Sequence, residues 1–282
     1  MKLCIIIFTT VICFNSYAQQ TAPESKATDI KKAKEDGQLS KLSINVGLGM
    51  ASYFGDLTKN NKLFSQSSVS FSAGLSYPLF PKFNGRFDIG YQQVKASDKN
   101  NSSAALKNRN LSFKSNVVDV SVSLEYFLVD MNKHKFTPYV SAGVGAMFFN
   151  PYANSTTGQK TFLRDLGTEG QGLTGFADQY KKAALIAPLS VGFKYAASKR
   201  TMIQLEFCYR ITETDYLDDV SLNYYPDKAL LDAKNPATSA FTYRGGEVGA
   251  GPYPAKNNRL SRGNPSNNDG YYTTQFKVGY KL

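Results

Sequence analysis

Residues able to do enzymatic or metal chemistry are few in this 282-residue chain. The single histidine, His134, lies between lysines in a short segment and is expected to be a solvated turn residue. Hydrolases of the serine type need a histidine to move a proton, and many metal sites need one as a ligand. Cys208 has no second thiol or histidine near it in the sequence and is expected to fill space. We therefore predict no catalytic residue, no cofactor and no enzymatic activity.

One acidic group is clustered in the sequence, where Asp215, Asp218 and Asp219 follow Glu213 within a few residues. Carboxylate oxygens at such spacing are the ligands that Ca²⁺ takes in proteins, although no EF-hand pattern is present. Asp215, Asp218 and Asp219 are therefore the candidate metal ligands. The alternative, which we prefer, is a loop base that is solvated or paired with Lys or Arg.

Eight further charges occupy the polar positions of segments in which polar and apolar residues alternate, a pattern typical of β-strands. They are the cations Arg86, Lys194, Arg210 and Lys277 and the anions Asp88, Asp119, Glu125 and Glu206. A small barrel has an interior just wide enough for side chains, and unpaired charges inside it would be very unfavourable. We predict that these charges pair in the lumen and close it. A selective pore is the alternative.

Eight alternating segments are present, several of them long enough to cross a bilayer at a tilt, which takes about 9–11 residues. Their alternating apolar sets begin at Leu42, Val69, Phe87, Val118, Val140, Ala187, Ile203 and Tyr272. The predicted fold is all-β, an eight-stranded antiparallel transmembrane β-barrel with long extracellular loops, over residues 42–282. Alternation alone does not exclude a soluble sandwich. Aromatic residues near the strand ends and a final amphipathic strand favour the membrane barrel.

The N-terminal residues also favour an exported membrane protein. Met1-Lys2 supplies a charge, Leu3–Phe14 is apolar, and Ser16-Tyr17-Ala18 ends on small residues, the layout of a secretory signal. We predict a signal peptide at residues 1–18, cleaved after Ala18, then a periplasmic tail at residues 19–41. The net charge of +11 could suit nucleic acid, but export to the outer membrane argues against that partner. Outer-membrane lipid and lipopolysaccharide are the expected partners.

Connections between the predicted strands alternate between long and short. The short ones are residues 78–84, 129–135 and 196–200, and the long ones are residues 55–66, 96–115, 150–182 and 216–269. Outer-membrane barrels keep short turns in the periplasm and long loops outside, so both termini are predicted to be periplasmic. Long loops tend to carry function. The Pro, Gly and Asn content of residues 216–269 favours little regular structure, and the Gly-rich residues 166–175 could form a lid.

Several segments beside the loops resemble one known family. They are Tyr53–Leu57, Arg109–Ser115, Phe136–Pro151, Leu166–Gly172 and Thr214–Ser221. This is the outer-membrane barrel family that includes PorG, a component of the type IX secretion and gliding machinery. The resemblance implies a barrel that anchors periplasmic secretion-ring proteins as a structural partner, and it supplies no catalytic residues.

Two hypotheses follow. In the first, the barrel is a structural or assembly component that contacts its partners through the periplasmic turns and tail. In the second, it is a stand-alone surface barrel that binds a ligand or lipopolysaccharide, or passes a small solute, through its long loops. Deletion of residues 19–41 would impair the first function, and deletion of external loops would impair the second.

Overall fold

The computed structural model describes residues 42–58, 66–255 and 261–282, and Leu42–Leu282 forms one compact unit. The predicted signal peptide (residues 1–18) and periplasmic tail (residues 19–41) lie outside the described residues. Long strands dominate the described unit: β1 (Ser43–Phe54), β2 (Ser68–Phe80), β3 (Phe83–Ser97), β4 (Ser112–Phe127), β5 (Phe136–Phe148), β8 (Ala183–Ala196), β9 (Thr201–Thr212) and β10 (Gly270–Lys281). Two short strands, β6 (Tyr152–Asn154) and β7 (Lys160–Phe162), form a hairpin beside β4.

These long strands close on themselves. Each pairs antiparallel with its neighbours along the chain, and β1 pairs with β10 from Ser43 opposite Lys281 to Phe54 opposite Gly270. The pairing of β3 with β4 completes the ring on the other side. The predicted eight-stranded antiparallel barrel is therefore confirmed, and its eight long strands leave no unpaired edge between them.

The two faces of the barrel wall have opposite character. Apolar side chains point outward and are exposed, as Leu48 (59%), Val144 (65%) and Leu185 (61%) illustrate. Polar side chains such as Gln92 and Gln275 point inward and are almost fully buried. A soluble sandwich would bury the apolar face, so the described strands exclude that alternative. The aromatic residues predicted at strand ends are all exposed on the outer face: Tyr77, Tyr91, Tyr126, Phe148 and Tyr195.

Connections alternate in length around the barrel, as predicted. The short ones are residues 81–82, 128–135 and 197–200, at one end that we call the short-turn rim. The long ones are residues 55–67, 98–111, 149–182 and 213–269, at the opposite end, the long-loop rim. Strands β2 and β3 extend further than predicted, so their connection shortens from the predicted residues 78–84 to residues 81–82. The other two short connections each differ from the prediction by one residue.

The long connections contain helices, which we had not expected in residues 216–269. The helices are α1 (Ala104–Arg109), α2 (Leu163–Leu166), α3 (Lys228–Lys234) and α4 (Thr238–Thr242), with 3₁₀ turns at Asp98–Asn100 and Gly245–Val248. Asp227 caps α3 by accepting a hydrogen bond from the Ala229 amide, and Leu231 on that helix is fully buried. The prediction of little regular structure was wrong because these turns bury apolar side chains between the Pro and Gly residues. Within the described ranges, no helix has the length and apolarity needed to cross a membrane.

The apolar core lies at the long-loop rim. Inward residues at that end of the strands, such as Val94, Phe113 and Met147, pack in one cluster with loop residues such as Leu166 and Leu217. We call the described parts of residues 98–111, 149–182 and 213–269 the cap. Because the cap shares a core with the strand ends, it is a folded cover on the barrel mouth.

Candidate functional site

The lumen brings together the eight charged residues that the sequence singled out, and all of them are buried. Arg86 on β3 lies at the centre of the larger group. Its guanidinium donates to Asp88 (Nε to Oδ2, 3.0 Å), to Glu125 (Nη1 to Oε1, 3.2 Å) and, at closer range, to Glu206. One arginine thus bridges carboxylates from three strands, β3, β4 and β9.

Two lysines complete this group. The Lys194 amine donates to Glu125 (2.5 Å), and the Lys277 amine donates to Glu206 (2.6 Å). The Tyr139 hydroxyl also donates to Glu206 Oε2 at 2.8 Å. Nearer the cap, Arg210 pairs with Asp119 (2.7 Å), whose carboxylate accepts from Tyr271 (2.7 Å). Each buried anion therefore faces at least one buried cation, which offsets much of the desolvation that burial imposes.

Glycines leave the room that these large side chains require. A Cβ at Gly192 would lie 2.8 Å from atoms of the Tyr139 ring, and one at Gly90 would lie 2.7 Å from Asp119 Oδ1. The cavity left among the lumen charges has a volume of about 10 Å³, which is room for about one water molecule. The described lumen is packed shut at this level.

The cap contains buried ion pairs that sequence reasoning missed. Arg262 is 1% exposed and donates to the Glu169 carboxylate, to the Thr168 hydroxyl (3.0 Å) and to the Asp219 carbonyl (2.9 Å). Arg109 holds both oxygens of Asp98 at 2.8 Å. Arg109 also contacts the backbone carbonyls of Arg262 and Asp56, so it joins residues 98–111 to residues 213–269. Arg262 joins residues 213–269 to residues 149–182 through Glu169 and Thr168.

An unusual acid pair lies at the base of the cap. The Tyr53 hydroxyl lies 2.5 Å from Asp218 Oδ2 and 2.6 Å from Asp269 Oδ1. A phenol carries one proton, so one of these two hydrogen bonds needs a carboxyl group in its acid form as the donor. Burial and the mutual repulsion of the two carboxylates raise the pKa of Asp218 well above its usual range, and burial raises that of Asp269.

The candidate metal ligands do not share a site. Asp218 faces Tyr53, whereas Asp219 accepts from Thr168 and from the Tyr180 hydroxyl (2.8 Å). In the part of the chain that the structure describes, no group of three His, Cys, Asp or Glu side chains is placed to hold a metal ion. The alternative of a loop base that is solvated or paired with Lys or Arg holds only in part. Asp215, Asp218 and Asp219 are all buried and so are not solvated, but Asp219 lies 3.7 Å from the Arg262 guanidinium. The cause is the folded cap, which covers them.

The two other residues considered for chemistry are His134 and Cys208. His134 is exposed in the turn between β4 and β5, and Cys208 is a buried free thiol facing the lumen from β9. The alternation of residues along a strand would have assigned Tyr53, Tyr139 and Tyr271 to the inner face of the barrel, because they occupy inward positions of β1, β5 and β10. No local signal marks Arg262 or Glu169, which come from separate loops.

The cap is expected to become more stable as the pH falls. Burial raises the pKa of Asp219, and also that of Asp215, from 3.8 to about 7. Around Asp219, Glu169 raises the pKa further, whereas Arg262, Thr168 and Tyr180 oppose the shift. Between these two values Asp215 and Asp219 bind more protons in the folded cap than in the unfolded chain. Their contribution to cap stability is therefore fully present below pH about 4 and is lost as the pH rises through about 7.

Hydrogen exchange of the amides of residues 168–171 measures this effect. After correction for intrinsic exchange rates, protection should be greater at pH about 5.5 than at pH about 8. The variant Asp219→Asn, which keeps the shape but cannot ionise, should show a weaker dependence. Equal protection of the unaltered protein at both pH values would contradict the prediction.

Comparisons with known proteins show which structures this chain resembles and which family it belongs to. Three solved barrels resemble the chain, and each matches over 86% of it. Neisserial surface protein A is 10% identical with a TM-score of 0.41 over 97% of its own chain, and OprG from Pseudomonas aeruginosa is 10% identical with a TM-score of 0.42 over 96% of its own chain. Ail of Yersinia pestis is 9% identical with a TM-score of 0.39 over 99% of its own chain. These scores carry no functional argument, and no curated protein matches the chain. Residues 30–229 match the family model described as "Domain of unknown function (DUF6089)". That match covers most of the chain, and the protein therefore belongs to the DUF6089 family.

Proposed function

We propose that the protein is a closed, non-enzymatic outer-membrane β-barrel that serves as a structural component of a secretion apparatus. The observation that carries the proposal is the inverted wall of the barrel, apolar outside and ion-paired inside. An exposed apolar belt around a closed barrel is stable in a bilayer, where every backbone polar group of the strands is paired. The same belt would be an aggregation hazard in water.

The paired lumen argues against a channel. Passage of a solute would require several of the eight charges to separate and leave unpaired ions in a nearly dry interior. The cap covers the mouth with its own core and adds a second obstruction. A barrel that neither conducts nor carries a catalytic constellation in its described residues is suited to a mechanical or docking role.

The short-turn rim is the surface we assign to partners, since short turns are typical of the periplasmic side of such barrels. It presents Lys82, Lys133, Lys135, Lys199 and Arg200. One acidic residue, Asp130, lies in the same turns. A cationic rim favours a partner with an acidic surface, because complementary charge speeds association and orients docking. The resemblance to the family that includes PorG suggests that this partner is a periplasmic ring protein of type IX secretion.

An affinity pull-down from detergent-solubilised outer membranes tests the assembly role. The tagged full-length protein should recover periplasmic ring proteins, and Lys133→Glu/Lys135→Glu should reduce that recovery several-fold by reversing the rim charge. Lys99→Glu/Lys107→Glu is the matched control, with the same charge change on exposed residues at the long-loop rim. Recovery of the barrel alone, or equal recovery by both variants, would overturn the proposal.

Membrane insertion gives a separate prediction. Val144 is outward-facing near the middle of β5, opposite Val122 of β4. Val144→Arg is expected to destabilise the inserted barrel by about 2–4 kcal/mol, because it places a charge near the bilayer midplane. Heat-modifiable electrophoretic mobility after folding into lipid vesicles measures the folded fraction, with Val144→Leu as the control. Unchanged folding of Val144→Arg would argue against a lipid-facing position.

A second function, ligand binding at the cell surface, is favoured by one observation. The two longest connections fold into the cap with buried ion pairs, whereas loops without a role need no such order. Deleting residues 228–255 should leave recovery of periplasmic partners intact if the first proposal holds. Loss of function from that deletion alone would favour the surface role.

A further inference from the structure

A cleft opens on the outer wall near the long-loop rim, between the ends of β3 and β4 and the β6–β7 hairpin. Its volume is about 270 Å³. Lys95 and Lys114 line it from adjacent strands, with the side chains of Gln66, Asn100, Tyr152 and Asn154 around them. None of its described lining residues is acidic. The cleft thus combines two cations with neutral polar groups and an aromatic ring.

The two lysines repel each other as the cleft stands. Lys95 and Lys114 are directly paired across β3 and β4, and both point away from the lumen. Like charges at directly opposite positions destabilise a sheet. Neither side chain forms an ion pair with any described residue, whereas the buried arginines of the cap and lumen all do. An anion between the two amines would relieve this repulsion.

A third cation stands beside the cleft. Tyr152 of β6 pairs with Lys114 of β4, and the Lys160 amine lies over the Tyr152 ring at 3.9 Å and near the Phe162 ring at 4.7 Å. This cation–π arrangement holds the Lys160 amine against Tyr152, which lines the cleft. Gln66 is fixed at the cleft edge, where its side-chain oxygen accepts from the Ser97 amide at 2.6 Å.

The height of the cleft on the wall identifies the source of the anion. Tyr91 and Val118 form the last exposed apolar pair below it on β3 and β4. Lys95 and Lys114 are four residues further along, which is about 13 Å of strand and less in height once the strands tilt. This places the amines at the depth of lipid headgroups, just outside the hydrocarbon.

We infer that this cleft binds the phosphate groups of an outer-leaflet glycolipid of the lipid A type, with Lys95 and Lys114 as the principal contacts and Lys160 as the third. The inference rests on the proposed membrane placement. A lipid is favoured over free phosphate because the exposed Tyr91 and Val118 directly below the cleft offer a surface for acyl chains. Lysine binds phosphate as a point charge, so a cluster of three lysines suits a headgroup that carries two phosphates.

Native mass spectrometry of the full-length barrel in detergent micelles, titrated with bisphosphorylated lipid A, tests the inference. The variant is Lys95→Gln/Lys114→Gln. Lys133→Gln/Lys135→Gln, on the opposite rim, is the control with the same loss of charge. The first variant should bind lipid A at least ten-fold more weakly, and the control should bind as the unaltered protein does. Lipid A stripped of phosphate should bind like the first variant.

Stability gives a second readout, which also shows that the variant folds. Without lipid A, Lys95→Gln/Lys114→Gln should melt at the same or a higher temperature, because the repulsion is gone. With lipid A, the unaltered barrel should gain melting temperature and the variant should not. Equal lipid A binding by both variants would overturn the site. If Lys95→Gln/Lys114→Gln lost binding of inorganic phosphate in a parallel titration but kept binding of lipid A, the assignment of the cleft to a lipid would be overturned.

Failure of this proposal can be told apart from failure of the proposed membrane placement. Heat-modifiable mobility of the unaltered protein in vesicles reports insertion, whether or not lipid A binds. A barrel that inserts but shows no dependence on Lys95 and Lys114 would reject the cleft alone.

Discussion

Replacing Arg86 with methionine is expected to lower the free energy of unfolding of the barrel by about 3–5 kcal/mol. The guanidinium contacts Asp88, Glu125 and Glu206, and its removal leaves three buried carboxylates with only Lys194 and Lys277 opposite them. Methionine keeps most of the volume, so the loss reports charge and hydrogen bonding more than packing. Urea titration of the barrel folded in micelles, followed by heat-modifiable mobility, measures the change.

A double variant separates charge imbalance from other effects. Arg86→Met/Glu206→Gln removes one cation and one anion that contact each other, so the lumen returns to equal numbers of each. The double variant should be more stable than Arg86→Met alone, because fewer buried carboxylates remain uncompensated. A loss below about 1 kcal/mol for Arg86→Met would mean that water reaches the network, and the closed lumen would then be wrong.

Arg262→Met should open the cap while the barrel stays folded. Arg262 joins Glu169, Thr168 and Asp219 in an almost fully buried site, and its loss leaves Glu169 without its cation. We expect the cap to lose about 3–5 kcal/mol of local stability. Hydrogen exchange should increase in residues 163–175 and 214–225, with strands β1 to β5 unchanged.

An exposed ion pair in the same region supplies the control. Lys228 and Asp232 pair on the solvent side of α3, and Lys228→Gln should change cap protection by no more than about 0.5 kcal/mol. If Arg262→Met and Lys228→Gln had equal effects, the buried pair would not be holding the cap. If Arg262→Met unfolded the strands as well, cap and barrel would be one cooperative unit.

Much of the barrel followed from the alternation of residue types. A period of two sets which side chains share a face, and that face stays the same along the whole strand. Arg86 and Glu206 could therefore be assigned to the lumen without knowing which strands are neighbours. Tyr139 and Tyr271 obey the same rule, but an uncharged side chain does not mark them as members of an ion-paired network. Their hydroxyls become visible only once Glu206 and Asp119 are known to lie opposite.

The contacts of the cap could not be predicted from the alternation of residue types. Its contacts join residues far apart in the chain, such as Glu169 with Arg262 and Tyr53 with Asp269. No period relates these residues, and loop composition alone suggested disorder. The sequence predicted that Asp215, Asp218 and Asp219 bind a metal or form a loop base that is solvated or paired with Lys or Arg. Their burial depends on the fold of the whole cap and has no local signal in the sequence. The same long-range packing pairs Tyr152, whose ring lies under the Lys160 amine, with Lys114.

The closure of β1 on β10 has a consequence for how the protein reaches its folded state. Ser43 and Lys281 meet across 238 positions of chain, and each pair of residues along this seam is similarly remote. Pairing so distant in sequence forms slowly, since the intervening chain must lose its freedom before the contacts compensate for it. Until the seam forms, two strands expose unpaired backbone that can join another chain. The slowest step of folding and the period of greatest aggregation risk should therefore coincide, which makes this seam the place where an assembly chaperone would act.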